Sequence, residues 1–105
     1  MVQMKTKSFK DYLETKLDKK DIADIEIAAE MEFSAMHDLK SDISKAVINY
    51  MAENDVGFND FVRKLGKSPT QVSKIIKGEA NLTISTIAQI FSIMGRKPHI
   101  TSAAP

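Results

Sequence analysis

The feature that most restricts the fold is the stretch from Asp21 to Glu53, which contains neither Gly nor Pro. Within it, apolar residues recur at steps of three and four, the spacing that places side chains on one face of an α-helix. They are Ile22, Ile25, Ala29, Phe33, Met36, Leu39, Ile43, Val47 and Tyr50. One helix over this stretch would be about 50 Å long, more than the diameter of a small domain. We therefore expect the helix either to break at residues 37–40 or to continue with its first half beyond the core.

Length and composition narrow the class of protein. The chain has 105 residues, of which 43% are apolar and 28% charged, which is typical of one soluble globular domain. It has no cysteine, which excludes a disulfide scaffold and thiolate metal sites. The first residues lack an apolar signal segment, and no stretch is apolar for the length of a membrane span. We expect a cytoplasmic protein that does not enter the membrane.

Charge is divided unevenly along the chain. Residues 1–20 carry a net charge of +3, residues 21–53 carry −6 and residues 54–105 carry +4, which gives the total of +1. Such a division indicates an anionic partner for the last segment and a cationic partner for the acidic middle. The alternative for the middle segment is an acidic helix face that contacts only water.

Turn and capping residues predict three short helices after the long one. Asn54, Asp55 and Gly57 favour a turn. A second helix, with Phe58, Phe61, Val62 and Leu65 as its apolar residues, is expected to end at Gly66. A third is expected to begin with Ser68 as N-cap and Pro69 as its first residue, and to end at Gly78. Thr83 is the expected cap of a fourth, with Gly95 as its end and a buried face of Ile84, Ile87, Ala88, Phe91 and Met94.

Both ends of the chain carry weaker signals. Ser8 and Asp11 have the spacing of a capping box, and Phe9, Tyr12, Leu13 and Leu17 follow at helical spacing, which predicts a short N-terminal helix. At the other end, "RKPHI" is compatible with a short β-strand, and Pro98 would confine that strand to a sheet edge.

The helix that ends at Gly66 and the helix capped by Ser68 have the layout of a helix-turn-helix. In this motif the second helix packs against the first by one face and projects the other. The expected internal residues are Phe61, Leu65, Val72 and Ile75. The expected projecting residues are Pro69, Thr70, Gln71, Ser73, Lys74 and Lys77. This set suits a DNA major groove, where Thr70 and Gln71 would contact base edges, Gln71 most naturally an adenine. Phosphates would be neutralised by Arg63, Lys64, Lys67 and Lys77. The simpler interpretation of the lysines is that they attract any polyanion.

The segment "FNDFVRKLGKSPTQVSKIIKGEANLTISTIAQIFSIMG" resembles the XRE/Cro-type helix-turn-helix family. The resemblance implies an all-α, five-helix, lambda-repressor-like bundle that binds operator DNA as a dimer. Base-reading positions then fall on Pro69, Thr70, Ser73 and Lys74, with Gln71 beside them, and phosphate-facing positions on Phe58, Lys67 and Asn81. The DNA-binding set implied is Lys67, Ser68, Pro69, Thr70, Gln71, Ser73, Lys74, Lys77 and Asn81. The chain departs from the family pattern at Gly57 and Phe58, at Val62 and at Pro69.

The N-terminal half, with its short helix followed by an acidic one, resembles HigA-type antitoxins in layout. That resemblance implies an N-terminal helical arm (residues 1–37), a DNA-binding domain (38–95) and an extended tail (96–105). It also implies a partner, a small basic ribonuclease toxin of the RelE/HigB class, and repression of the protein's own operon. Candidate toxin contacts are Phe9, Tyr12, Leu13, Ile27 and Met31. An acidic arm would complement a basic toxin.

The main alternative is a stand-alone XRE-family regulator, phage-like or chromosomal, whose N-terminal helices serve dimerisation. An enzyme is not expected, since His37 and His99 are the only histidines and are far apart in sequence. No catalytic residue, metal ligand or cofactor is predicted, and the acids near Asp21 lack the spacing of a calcium loop.

Overall fold

The computed structural model describes residues 19–104, which form four α-helices and no β-strand. These are α1 (Lys19–Glu53), α2 (Phe58–Leu65), α3 (Pro69–Ile76) and α4 (Ile84–Ile93). The prediction of an all-α chain is therefore confirmed for this range. None of the four helices combines the length and the apolar composition needed to cross a membrane. The predicted short helix at residues 8–17 lies outside the described residues.

Helix α1 runs without interruption through residues 37–40, so the predicted alternative of a break there is wrong. Sharp kinks in helices need a Pro, a Gly or a comparable local cause, and this stretch has neither residue. By their internal contacts the residues divide into two units, with the boundary between Ala35 and Met36. In the first unit, the described residues 19–35 are one helical segment in which every side chain is exposed except half-buried Ile22.

The second unit contains the hydrophobic core. Its buried apolar residues come from the C-terminal part of α1 and from the other three helices with their ends: Val47, Phe61, Leu65, Val72, Ile75, Ile90 and Met94. The predicted internal residues of α2 and α3 are thus all buried. The ring of half-buried Tyr50 lies 6.4 Å from that of Phe61, tilted by 58°, an ordinary geometry for packed aromatic rings.

Two side chains donate to backbone carbonyls at the C-terminal ends of neighbouring helices, where the last carbonyls have no partner within their own helix. The hydroxyl of buried Ser44, on α1, donates to the carbonyl oxygen of Ile76 at the end of α3. The side-chain amide of Gln89, on α4, donates to the carbonyl oxygen of Leu65 at the end of α2, at 3.0 Å. The ends of α2 and α3 are therefore each fixed by a side chain from another helix.

The predicted buried face of α4 is partly wrong. Ile84 is 84% exposed and Ala88 is exposed, whereas Ile90, which was not predicted, is fully buried. Met94 is buried as predicted, and Ile87 and Phe91 are half-buried. The helix carries isoleucines at residues 84, 87, 90 and 93, and Phe91 beside them. Because apolar side chains occur on most sides of it, the periodicity does not select one face.

Two further expectations are not confirmed in the described residues. Residues 96–104 have no regular structure, so the possible C-terminal β-strand is absent there; a strand needs a partner, and none lies in residues 19–104. The expected five-helix bundle is not confirmed either, since four helices are found between residues 19 and 104. Residues 77–83, between α3 and α4, form no helix, and α4 is followed by Gly95 at a φ of +69°.

Candidate nucleic-acid interface

A three-residue turn, Gly66 to Ser68, joins α2 to α3. Gly66 has a φ of +70°, the left-handed conformation that glycine adopts without strain, and its N–H donates to the carbonyl oxygen of Val62 at 2.9 Å. Ser68 is the N-cap of α3 and Pro69 its first residue, as predicted. The start of α3 is thus fixed by backbone conformation and by a cap. The N-cap of α2, Gly57, makes no side-chain capping bond.

Helix α3 divides into a buried and an exposed side. Val72 and Ile75 are buried, with 0% and 3% of their surface exposed. The residues of the predicted projecting set are exposed, apart from half-buried Ser73: Pro69, Thr70, Gln71, Lys74 and Lys77. Four of the exposed residues belong to the first two turns of the helix. Those turns are the part of a recognition helix that contacts base edges.

Gln71 has a second role that the sequence interpretation missed. Its side-chain oxygen accepts from the backbone N–H of Ser68 at 3.1 Å and from the Ser68 hydroxyl at 3.3 Å. Its own backbone N–H donates to the Ser68 hydroxyl oxygen at 3.2 Å. This reciprocal pair is a capping box, and the spacing S-x-x-Q in the sequence was the signal for it. Gln71 is therefore a structural residue as well as a projecting one.

A cavity of about 370 Å³ lies between α3 and the N-terminal end of α4. It brings together four of the predicted DNA-binding residues, Lys67, Gln71, Lys74 and Asn81. Thr83, the N-cap of α4, also lines it, and its hydroxyl oxygen accepts from the Thr86 N–H at 3.1 Å. Backbone N–H groups at a helix start attract anions. Glu79 is the one acidic residue in this lining.

The cations around α3 differ in whether a carboxylate neutralises them. Arg63, predicted to contact phosphate, forms an ion pair with Asp60 on the same helix. By contrast, no ion pair within residues 19–104 involves Lys64, Lys67, Lys74 or Lys77. Helix α3 itself contains no acidic residue. Within residues 19–104, Arg63 is therefore paired with a carboxylate, whereas these four lysines are not.

The candidate toxin-binding residues fall in two places. Phe9, Tyr12 and Leu13 lie outside the described residues. Ile27 and Met31 lie on α1, four residues apart and hence on one face, and are 55% and 48% exposed. The apolar stripe of the same segment is exposed as well, with Ile25 at 48% and Phe33 at 73%. Residues 19–39 carry six acidic residues and two lysines, a net charge of −4.

Metal ions are held in proteins by clusters of ligating side chains. Within residues 19–104, no three His, Asp or Glu side chains are placed to hold a metal ion. His37 and His99 are both exposed, and His37 lies 3.6 Å from the carboxylate of adjacent Asp38.

Comparison of the chain with models of protein families, with curated proteins and with solved structures found no match. We therefore argue its function from the residues and contacts described above.

Proposed function

We propose that the chain is an antitoxin. In this proposal it represses its own operon by sequence-specific binding of α3 to operator DNA, as a homodimer. The acidic part of α1 binds and neutralises a small basic ribonuclease of the RelE/HigB class. Residues 38–95 are then a lambda-repressor-like helix-turn-helix domain, residues 1–37 the toxin-binding arm and residues 96–105 a tail.

The observation that carries the DNA-binding part is the division of α3. One side is anchored in the core by Val72 and Ile75, and the first two turns of the other side expose Pro69, Thr70 and Lys74. A major groove admits one α-helix and offers donors and acceptors on its base edges. Any surface helix has a buried and an exposed side. This one, however, has no acidic residue and is surrounded by unpaired lysines, which favours a polyanion as partner.

The projecting side chains divide between two tasks. In this proposal Thr70, Ser73 and Lys74 contact base edges, and specificity comes from such contacts. Lys67, Lys77 and Asn81 contact phosphates, which supplies affinity but no sequence information. The cavity between α3 and the start of α4 supports the phosphate contacts, since Lys67 and Asn81 line it beside the capped N-terminus of α4.

The charge of α1 supports a basic protein as the second partner. Residues 19–39 have a net charge of −4, and apolar side chains such as Ile27 and Met31 are exposed among the acids. A basic surface would gain from charge complementarity and cover the apolar side chains. A second copy of the same segment would bring like charges together. This favours the antitoxin over a stand-alone regulator whose arm serves dimerisation.

The DNA-binding part is tested by selecting duplexes from a random pool with the full-length chain. Combined Thr70→Ala and Lys74→Ala changes should weaken binding to the selected duplex by about 100-fold, since each good base contact is worth about 1–3 kcal/mol. Circular dichroism should show unchanged helical content. The matched control combines Lys45→Ala with Thr101→Ala, two exposed positions outside α3. Undiminished specific binding by the α3 variant would show that α3 does not read DNA.

The antitoxin part is tested by co-expression with a small basic protein encoded in the adjacent reading frame. Reversing two exposed charges on α1, Glu26→Lys and Glu30→Lys, should abolish both co-purification and rescue of growth. The control is Glu53→Lys, an exposed reversal at the other end of the helix. If the double reversal still rescues growth, the acidic part of α1 is not the toxin site.

A further inference from the structure

The carboxamide of Gln71 is oriented by its cap. The Ser68 backbone N–H can only donate, so the end of the carboxamide that meets it at 3.1 Å must be the oxygen. The Ser68 hydroxyl approaches the same oxygen at 3.3 Å. Two donors therefore occupy the two lone pairs of this oxygen.

The other end of the carboxamide is an NH₂ group with two protons to donate. It makes no hydrogen bond within residues 19–104, and Gln71 is exposed. Gln71 lines the cavity beside α4 together with Lys67 and Lys74, whose ammonium groups also only donate. Gln71 and Lys74 are three residues apart, so they lie on the same face of α3. The start of the helix thus presents a cluster dominated by donors.

We propose that Gln71 determines specificity as a donor only, and that the base it faces is a guanine rather than an adenine. This rests on the proposed function, in which α3 enters the major groove. Glutamine reads adenine with both ends of its carboxamide: the oxygen accepts from the N6 amino group and the nitrogen donates to N7. In this chain the oxygen is already used by Ser68. The exocyclic amino group of adenine, a donor, would then meet the NH₂ group of Gln71, which is also a donor.

Guanine fits the same cluster because it offers two acceptors, N7 and O6, at its major-groove edge. The Gln71 NH₂ group and the Lys74 ammonium group can satisfy both. To read adenine instead, Gln71 would have to give up the cap of α3. In this proposal guanine, and not the adenine expected from the residue type, is the base that Gln71 contacts.

The experiment compares the wild-type chain with Gln71→Glu on duplexes selected from a random pool. A glutamate at this position keeps the cap, because one carboxylate oxygen can accept from the Ser68 N–H. Its second oxygen replaces the outward NH₂ group and is an acceptor. The melting temperature should be unchanged or higher, while the preferred base at one position of each half-site should change from guanine to a base with an amino donor, cytosine or adenine.

A chemical probe tests the same contact without a change in the protein's charge. Replacing the selected guanine by 7-deazaguanine, which lacks the N7 acceptor, should weaken wild-type binding about tenfold. Binding by Gln71→Ala, which has no donor at this position, should respond less than twofold. The control is 7-deazaguanine at a guanine outside the half-site.

The outcomes separate this proposal from the function on which it rests. If no duplex is enriched, the proposed DNA-binding function fails and the guanine assignment falls with it. If a duplex is enriched and the combined Thr70→Ala and Lys74→Ala variant loses it, DNA binding stands. An adenine preference that depends on Gln71, or a guanine preference that Gln71→Glu leaves unchanged, would then overturn the donor-only role alone.

Discussion

The two parts of α1, residues 19–39 and residues 40–53, carry the same apolar periodicity but differ in what covers it. In the first part, Ile25 and Phe33 are 48% and 73% exposed, whereas Val47 in the second part is fully buried. Val47 belongs to a buried cluster whose other members lie on the other helices or at their ends, Phe61 and Ile90 among them. Periodicity therefore identifies the side chains that share a helix face, but the rest of the chain decides whether that face is core or surface.

The largest expected difference between the two parts comes from introducing a charge. Val47→Asp places a carboxylate in the core and should destabilise the second unit by about 4 kcal/mol or more. Ile25→Asp should cost less than about 0.5 kcal/mol through the lower helix propensity of Asp. Urea unfolding followed by circular dichroism measures both. Equal losses would mean that Ile25 is buried in solution, for example by a second copy.

A leucine truncation sharpens the comparison without adding charge. Leu65, at the end of α2, is 1% exposed, whereas Leu39 on α1 is 45% exposed. Leu65→Ala should cost about 3 kcal/mol, because it removes buried surface and leaves a cavity. Leu39→Ala should cost less than about 0.5 kcal/mol, since this side chain is already half exposed and alanine favours helix. Thermal unfolding of the two variants at one protein concentration gives the values, and a larger loss for Leu39→Ala would contradict the burial described.

A matched serine pair tests the polar contact of α1. Ser44→Ala removes the donor to the Ile76 carbonyl oxygen and should cost about 1–2 kcal/mol. Ser34→Ala, on the exposed part of the same helix, should stabilise by a few tenths of a kcal/mol, because alanine is the better helix former. Chemical denaturation of the two variants measures both changes in the free energy of unfolding, which should have opposite signs. Equal effects at both positions would indicate that the Ser44 contact contributes nothing to stability.

The smallest effect on stability is expected at the candidate toxin contacts. Ile27→Ala with Met31→Ala should change the free energy of unfolding by less than about 0.5 kcal/mol, since both side chains are half exposed and alanine favours helix. The same pair should weaken capture of the basic partner at least tenfold. Calorimetric unfolding and a pull-down measure the two quantities. Weaker folding with unchanged capture would assign these residues to the fold instead.

The short helices were predictable because their ends are encoded locally. Gly66 supplies a positive φ, Ser68 a cap and Pro69 a first helical residue, and each acts within a few residues of its own position. The buried face of α4 was not predictable, because isoleucines occur on several of its sides and contacts with distant residues choose Ile90. The sequence is compatible with both a continuous α1 and a break at residues 37–40, because the length of the apolar stretch alone does not decide between them.

The candidate site was predictable in part, because some of its features are also encoded locally in the sequence. The division of α3 into inward and outward residues follows from helical spacing, so Val72 and Ile75 were assigned correctly to the interior. The ion pair between Arg63 and Asp60 was missed, although the two are three residues apart on one helix. The orientation of the Gln71 carboxamide depends on hydrogen-bond geometry, which residue types alone do not specify.

The contact between Ser44 and the end of α3 bears on how this protein can evolve. Helix α3 is fixed at its end by Ser44, on its inner side by Val72 and Ile75, and at its start by Ser68 and Gln71. Thr70 and Lys74 contribute to none of these contacts, and neither makes a side-chain hydrogen bond or ion pair within residues 19–104. Substitutions at these two positions should cost little stability, so in the proposed DNA-binding function a new target sequence is accessible by single substitutions. Gln71 is not free in this way, and a lineage that changes its target should vary at Thr70 and Lys74 first.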